Sequence, residues 1–357
     1  MMYRIAVLPG DGIGPEVMEE AMKVLDVVEG KTNVSFERIF AHIGGEAYDK
    51  FKTPFPDETK RICEEVDAVL LGSVGGRKWD NLPPHLKPEI GGLLELRKFL
   101  KLYANLRPVK VYEELVKISP LSDRVLKDGV DLITVRELSL GIYFGEPKRL
   151  EENYGLDTMI YDVETVERIA RTAFEIAKKR RKKVSSVDKA NVLYSSMLWR
   201  KVVNEVSKDY PDVELEHLYV DNAAMQLILN PSRFDVILTT NMFGDILSDE
   251  SAVLSGSLGM LPSASFGERI NLYEPAGGSA PDIAGKNLAN PIAQILSLSM
   301  MLRYSFNMDD VANKVDEAIE LTIKQGYRTR DISEDGKFVS TSEMGDRICE
   351  NLEKLFR

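Results

Sequence analysis

The stretch that decides the fold is residues 5–15, which reads IAVLPGDGIGP. Its first four residues are continuously apolar, as in a strand buried on both faces, and the turn after them leads into a helical pattern from about Pro15 to Glu29. A GxGxxG dinucleotide-binding fingerprint would lie at this turn, but Pro15 replaces its third glycine. A dinucleotide bound here therefore needs a different architecture, and a plain strand-to-helix turn explains the same glycines equally well.

Further strands of this kind follow along the chain. Apolar, β-branched runs predict buried strands at 67–71, 131–135 and 235–239, with another strand at 215–220. A long apolar-periodic run predicts a helix over 163–181. Strands that alternate with helices indicate an α/β fold, and 357 residues are enough for two domains. Because no low-complexity linker separates them, we expect the two domains to be interwoven.

Two segments interrupt the alternation. Residues 140–161, which contain Gly141, Gly145, Pro147 and Gly155, predict an irregular arm outside any sheet. A basic cluster at 178–183 closes the predicted helix, where cations complement the helix dipole. That interpretation is favoured over a nucleic-acid patch.

The composition excludes several classes of function. A net charge of −11 argues against nonspecific binding to nucleic acid or to anionic membranes. No apolar run approaches the ~20 residues that span a bilayer, so we expect a cytoplasmic protein. Cys63 and Cys349 form no CxxC pair, and the three histidines are not at ligand spacing, which argues against a disulfide framework and a zinc site.

Three aspartates follow predicted strands, where α/β proteins place their sites. Asp245 and Asp249 are spaced i, i+4 on one helical face, and Asp221 follows the strand at 215–220. Oxygen ligands of this kind suit Mg²⁺ or Mn²⁺. The alternatives are a solvated acidic first turn for the pair and a plain helix N-cap for Asp221.

Basic residues supply candidates for binding a small anion. Arg97 and Arg107 bracket a predicted helical stretch, and Arg136 ends the strand at 131–135. Guanidinium groups bind carboxylates bidentately, although each arginine alone is more typical of a surface. Lys189 and Tyr143 add acid–base candidates. These residues alone predict metal-assisted chemistry on a small anion.

Ordered motifs along nearly the whole chain resemble one family, the β-hydroxyacid decarboxylating dehydrogenases, which include isopropylmalate and isocitrate dehydrogenases. The motifs are LPGDGIGPE (8–16), LLELR (93–97), ANLRP (104–108), VRE (135–137) with GIYFG (141–145), DKAN (188–191), NMFGDILSD (241–249) and EPAGGSAPDIAGK (274–286) followed by NP (290–291).

The resemblance implies a two-domain fold in which the chain leaves the first domain and later returns to it. The cofactor-binding domain is expected at 1–103 and 256–357, and the dimerisation and substrate domain at 104–255. The arm at 140–161 would interlock with a partner in a homodimer that shares its sites. Lys189 and Asp221 would then serve the partner's site.

The same resemblance assigns roles in the oxidative decarboxylation of 3-isopropylmalate to 4-methyl-2-oxopentanoate and CO₂, a step of leucine biosynthesis. Mg²⁺ or Mn²⁺ would bind Asp221, Asp245 and Asp249. Lys189 would remove the hydroxyl proton, and Tyr143 would protonate the enol. The expected substrate-binding residues are Leu93, Leu94, Arg97, Arg107, Arg136 and Asp221.

Two leucines at 93–94 suit an isopropyl group, whereas a relative that binds isocitrate is expected to place polar groups there. Because one apolar pocket discriminates by only ~1–3 kcal/mol per methylene, related alkylmalates are expected to be slow substrates. A relative that acts on isocitrate, homoisocitrate, malate or tartrate with the same machinery is the alternative. An inactive metabolite-binding subunit is another alternative, but Tyr143, Lys189 and the three aspartates are all present.

NAD is the expected cofactor because the Asp282 carboxylate can bind the ribose hydroxyls and would repel a 2′-phosphate. Gly277 stands where many relatives carry histidine, which predicts weaker adenine stacking. The expected cofactor-binding residues are Ile13, Glu89, Glu274, Gly277, Gly278, Ser279, Ala280, Pro281, Asp282, Ile283 and Asn290.

Overall fold

The computed structural model describes all 357 residues, which divide into two compact units. The first unit consists of Met1–Leu102 and Ser257–Arg357, and the second of Tyr103–Gly256. The expected domain limits lie one residue away from these bounds.

The elements follow one another in three stretches of the chain. The first contains β1 (Met2–Gly10), α1 (Gly14–Lys31), β2 (Ser35–Phe40), α2 (Gly45–Phe51), α3 (Asp57–Glu64), β3 (Ala68–Ser73), a π-helical segment (Pro88–Leu94) and α4 (Glu95–Phe99). The second contains β4 (Leu102–Val111), α5 (Asp123–Leu126), β5 (Val130–Glu137), β6 (Arg149–Leu150), β7 (Gly155–Leu156), α6 (Val163–Lys178), β8 (Lys183–Asp188), α7 (Tyr194–Ser207), β9 (Glu214–Tyr219), α8 (Val220–Leu229), β10 (Val236–Thr239) and α9 (Asn241–Ala252). The third contains β11 (Pro262–Gly267), β12 (Asn271–Pro275), α10 (Ile292–Tyr304), α11 (Asp309–Lys324) and α12 (Thr341–Leu355).

The first unit is built on strands in the order β2-β1-β3-β12-β11. All pairs are parallel except β11 with β12. Every residue of β3 is buried, as its unbroken apolar sequence predicts for a central strand covered by helices. Helices α1, α10, α11 and α12 pack against one another and enclose this core.

The second unit is built on strands in the order β4-β5-β10-β8-β9. The pair β4–β5 is antiparallel, and the other pairs are parallel. Helices α6 and α7 pack together, and Phe174 and Trp199 are fully buried in them. The predicted α/β class is confirmed in both units.

Several predicted boundaries are wrong by a few residues. The helix expected at 163–181 ends at Lys178, because the chain turns through Lys182, whose φ is +59°, into β8. The strand expected at 215–220 is β9, which begins and ends one residue earlier.

The stretch between Arg97 and Arg107 is not a helix. Only Glu95–Phe99 is helical, and Arg107 lies on β4. The two alternatives for the aspartates are also wrong. Tyr219, not Asp221, is the N-cap of α8, and Asp245 lies just after the first turn of α9, which contains no acidic residue.

The arm at 140–161 lies outside both large sets of strands, but it is not wholly irregular. Its strands β6 and β7 pair only with each other, in a hairpin of exposed residues. None of the helices in the chain combines the length and the apolar character needed to cross a membrane.

Candidate active site

The carboxyl ends of the parallel strands in the second unit bring several predicted residues to one edge. Arg136 lies near the end of β5, and Lys189 directly follows β8. Asp221 follows β9 in the first turn of α8, and Asn241 follows β10 as the first residue of α9. In open α/β sheets this edge is where ligands bind.

Asp245 is the centre of one cluster at this edge. Tyr143 donates its hydroxyl hydrogen to Asp245 Oδ2 at 2.8 Å, and Arg136 Nη1 donates to Asp245 Oδ1. The Arg136 guanidinium also lies over the Tyr143 ring, 5.7 Å from its centroid. Desolvation and the Asp245 carboxylate raise the pKa of Tyr143. The Tyr143 hydroxyl therefore stays protonated, and available as a proton donor, in neutral and mildly alkaline solution.

Strand geometry explains why Arg107 and Arg136 share a face. Asn105 lies directly opposite Arg136 in the antiparallel pair β4–β5, and Arg107 is two residues further along β4. Alternate residues of a strand point to the same side, and so do residues directly opposite each other in a pair, so the side chains of Asn105, Arg107 and Arg136 share one face. Asn105 Oδ1 accepts a hydrogen bond from Arg107 Nε at 3.0 Å.

Lys189 and Asp221 form a second pair at the edge. Lys189 Nζ lies 3.0 Å from Asp221 Oδ2, and this contact lowers the pKa of Asp221. The buried Asp188 holds the turn after β8, which contains Lys189, by accepting from the backbone N–H of Ala190 and from two nitrogens of Arg200.

The three predicted metal ligands are not brought together within one chain. No group of three or more His, Cys, Asp or Glu side chains is arranged to hold a metal ion. Asp245 and Asp249 lie one turn apart on α9, whereas Asp221 contacts Lys189. Their carboxylate oxygens are the donors that Mg²⁺ and Mn²⁺ prefer.

The first unit contains a cavity of ≈ 420 Å³ beside the loop after β12. Ligand pockets commonly measure about 300–1,000 Å³ and are mostly apolar, so this cavity has room for part of a dinucleotide. Six of the predicted cofactor residues line it: Ile13, Gly277, Gly278, Ala280, Ile283 and Asn290.

The turn before α1 is joined directly to this loop. Ile13 donates its backbone N–H to the Ser279 carbonyl at 2.8 Å. Gly12 has φ +59°, and a Cβ there would lie 2.0 Å from the same carbonyl oxygen, so only glycine allows the approach. Ala280 is held at φ +38°, a conformation that side chains rarely adopt. Pro281 and Asp282 are exposed on the loop.

The remaining predicted residues of the first unit lie elsewhere. Buried Glu274 is paired with Arg97 at 2.5 Å. Glu89 packs against the backbone of Gly75, where a Cβ would meet its Oε1 at 2.2 Å. Leu93 is partly buried and Leu94 is half exposed, both on the π-helical segment. The structure thus places an ion pair, and not a free guanidinium, at Arg97.

Sequence reasoning missed several residues at both places. In the cavity these include Ser257 and Asp331, which are hydrogen-bonded to each other. At the strand edge they are Asn105 and Asn241, which hold the two arginines. The alternation of side chains along β4 could have indicated Asn105, since it shares a face with Arg107.

Comparisons with known proteins agree with this architecture. The family model described as "Isocitrate/isopropylmalate dehydrogenase" matches residues 4–348. The chain is 72% identical over 354 residues to a 3-isopropylmalate dehydrogenase of Thermotoga maritima, covering 99% of this chain and 100% of the relative. It is 59% identical to a 3-isopropylmalate dehydrogenase of Aquifex aeolicus, covering 99% and 98%. The solved structure of a beta-decarboxylating dehydrogenase from Thermococcus kodakarensis, in its apo form, matches with a TM-score of 0.84 at 37% identity, covering 99% and 97%.

Proposed function

This chain belongs to the isocitrate/isopropylmalate dehydrogenase family, and we propose that it oxidises and decarboxylates 3-isopropylmalate to 4-methyl-2-oxopentanoate with NAD in leucine biosynthesis. The observation that carries the proposal is the convergence of Tyr143 and Arg136 on Asp245, which joins a proton donor, an anion-binding group and a metal-ligating carboxylate. We place the reaction in the cytoplasm, where a biosynthetic dehydrogenase meets its NAD.

The substrate-binding part of the proposal rests on charge and on Leu93 and Leu94. Arg107 and Arg136, on one face of the second unit, supply guanidinium groups that bind the substrate carboxylates. Arg97 is a further proposed ligand of a carboxylate, and it would have to exchange its pairing with Glu274 for the substrate. The leucine pair offers apolar surface for the isopropyl group, since Leu94 is 50% exposed. A polar pair would be needed to bind a third carboxylate.

The acid–base part of the proposal uses Lys189 and Tyr143. Lys189 of the partner subunit, as the neutral amine, removes the proton of the C2 hydroxyl as the hydride leaves C2, and Tyr143 later protonates C3 after CO₂ has departed. When bound, NAD accepts the hydride and a divalent cation stabilises the negative charge on the C2 oxygen. Asp245 and Asp249, with Asp221 of the partner subunit, would hold that cation.

The cofactor part of the proposal is supported by the cavity of the first unit. We place the adenosine half of NAD there, between Ile13 and the loop that contains Gly277, Ile283 and Asn290. The exposed Asp282 carboxylate supplies the group that accepts from ribose hydroxyls and repels a 2′-phosphate.

We propose a homodimer in which each site takes Lys189 and Asp221 from the other subunit. In one chain Lys189 contacts Asp221 and Tyr143 contacts Asp245, and no group of three acidic side chains is arranged to hold a metal ion. The second unit also exposes large apolar side chains on the helices near both pairs, as expected of a surface that a second copy covers: Tyr194, Met197, Met225, Leu229 and Ile246.

The first experiment follows NADH absorbance with 3-isopropylmalate, isocitrate and D-malate in the presence of Mn²⁺, with and without chelator. We expect chelator-sensitive turnover that is fastest with 3-isopropylmalate. A faster rate with another acid would leave the mechanism standing and refute the role of the leucine pair. No turnover with any acid, using NAD or NADP, would refute the proposed function.

Sharing of the site is tested by mixing two inactive variants, Lys189→Ala and Tyr143→Phe, after mild denaturation and refolding. Half of the random dimers would be mixed, and each would have one intact site, so activity should return to about a quarter of the wild-type value. No recovery in the mixture, with wild-type protein recovering after the same treatment, would show that each chain forms its own site.

A further inference from the structure

Asn241 is a fully buried polar residue that no role proposed above uses. Its Oδ1 accepts hydrogen bonds from Arg136 Nε at 3.0 Å and from Arg136 Nη2 at 2.8 Å. Its Nδ2 donates to the Leu140 carbonyl at 2.9 Å. Arginine only donates and a carbonyl only accepts, so a single orientation of the amide satisfies both neighbours.

The backbone of Asn241 is fixed as well. Its N–H donates to the Tyr161 hydroxyl oxygen at 2.9 Å. Leu140 and Tyr161 stand at the two ends of the arm, which are joined by a hydrogen bond from the Gly141 N–H to the Ile160 carbonyl. Asn241 is therefore held from both ends of the arm while it holds one edge of the Arg136 guanidinium. Such a residue cannot rotate without breaking several buried hydrogen bonds.

We propose that Asn241 is a positioning residue that turns Arg136 toward the substrate carboxylate without adding a second negative charge to that of Asp245, which already pairs with the guanidinium. This inference rests on the proposed role of Arg136 in substrate binding. A guanidinium needs an acceptor on one edge to fix its plane, and a carboxylate is the common acceptor. A carboxylate at position 241 would place a second anion beside the arginine in addition to Asp245, whereas the amide oxygen orients it and carries no charge. An uncharged acceptor thus leaves Arg136 better able to attract a substrate anion than a second carboxylate would.

Substitution Asn241→Asp separates orientation from charge. The aspartate is nearly the same size and still accepts from Arg136, but it pairs with the guanidinium and cannot donate to the Leu140 carbonyl. We expect the KM for 3-isopropylmalate to rise roughly tenfold or more, with the KM for NAD changed less than about twofold. Asn241→Ser, which is neutral but too short to reach both nitrogens, should raise the substrate KM by a smaller factor. It also serves if the aspartate variant does not fold.

Asn351→Asp is the matched control. Asn351 is also a buried asparagine with several side-chain partners, Thr322 and Gln325 among them, but it lies on α12 away from the residues proposed to act on substrate. The control variant is expected to lose thermal stability with both KM values unchanged. A merely structural role for Asn241 predicts the same behaviour for both variants.

Calorimetric titration of 3-isopropylmalate into the dimer with Mg²⁺ and without NAD gives a readout that does not depend on turnover. Weaker binding by Asn241→Asp and Asn241→Ser, with the control like wild type, supports the proposal. Substrate affinity unchanged in both Asn241 variants, or lost equally in the control, overturns it. Absence of turnover by the wild-type enzyme is a separate outcome, which refutes the proposed function instead.

Discussion

The strand edge of the second unit and the cofactor loop of the first unit are built in opposite ways. At the edge, Arg136 is 6% exposed and is held by Asn241 and Asp245. In the loop, a side chain at Gly278 or Gly285 would meet no atom within 4 Å. Chemistry on a small anion needs groups fixed within about 0.5 Å, whereas an apolar cavity can bind a large cofactor by its shape. The side chains at the strand edge are thus held in place before substrate binds, whereas the cofactor loop leaves space around its glycines.

Removing the charge at the centre of the edge should have the largest effect. Asp245→Asn keeps the size of the side chain but loses the carboxylate that Arg136 and Tyr143 contact and that we propose as a metal ligand. We expect kcat/KM to fall about thousandfold or more, since a catalytic metal contributes several kcal/mol. Steady-state kinetics over a Mn²⁺ titration measures this. Asp212→Asn, at an exposed acid, is the control, and a loss under tenfold for Asp245→Asn would contradict the assignment.

Tyr143→Phe removes a hydroxyl and leaves the ring beneath Arg136 in place. Loss of a general acid costs about 10²–10⁴ in rate, so we expect kcat to fall about hundredfold with the KM for NAD unchanged. The comparison variant is Tyr48→Phe in the first unit. A kcat within threefold of wild type would assign the protonation of C3 to another group.

Gly12→Ala tests a tight contact on the cofactor side. Its Cβ would lie 2.0 Å from the Ser279 carbonyl oxygen at a φ of +59°. We expect the first unit to lose about 2–4 kcal/mol of stability and the KM for NAD to rise. Gly326→Ala is the control, since Gly326 has φ +92° with nothing within 4 Å and so suffers the backbone strain alone. Equal loss of stability in the two variants would show that the contact with Ser279 is unimportant.

Gly277→His should have the smallest effect and acts on the open part of the loop. A Cβ at Gly277 meets Leu258 at an ordinary 3.7 Å, so the cavity accepts a side chain there. Stacking of a ring on adenine is worth about 1–3 kcal/mol in comparable sites, so the KM for NAD should fall several-fold. Gly277→Ala controls for the added Cβ. An unchanged KM would mean that adenine does not lie beside this residue.

Much of the fold could be predicted from the sequence because each core strand is an unbroken apolar run. The buried strands near 67–71, 131–135 and 235–239 were all found within two residues of their ends. The helix end at Lys178 was missed because residues 179–181 are good helix formers and contain no glycine or proline that would mark an end. Arg180 and Arg181 lie beyond the helix and reach Asp131 and Asp235, whereas Lys178 lies in its last turn.

The candidate site could be predicted only at residues whose side-chain type itself indicates acid–base, anion-binding or metal-binding chemistry. Tyr143, Arg136 and Asp245 were found by residue type and motif, and the structure brings them into contact. Asn241 was missed because an asparagine at a helix start is common for structural reasons, and only its contacts set it apart. Asp221 was found by its position after a strand, but within one chain it pairs with Lys189 and completes no metal-binding group.

The discontinuity of the first unit also has a consequence for synthesis on the ribosome. Its β-strands come from both ends of the chain, and the hydrogen bond from Ile13 to Ser279 joins those ends. The second unit is one uninterrupted segment, so it can fold while later residues are still being translated. The N-terminal segment cannot complete its set of strands, or form the hydrogen bond from Ile13 to Ser279, until β11, β12 and the following loop have been translated. A stop codon after residue 256 and before β11 would therefore release a chain whose second unit can fold but whose first unit lacks two strands and three helices.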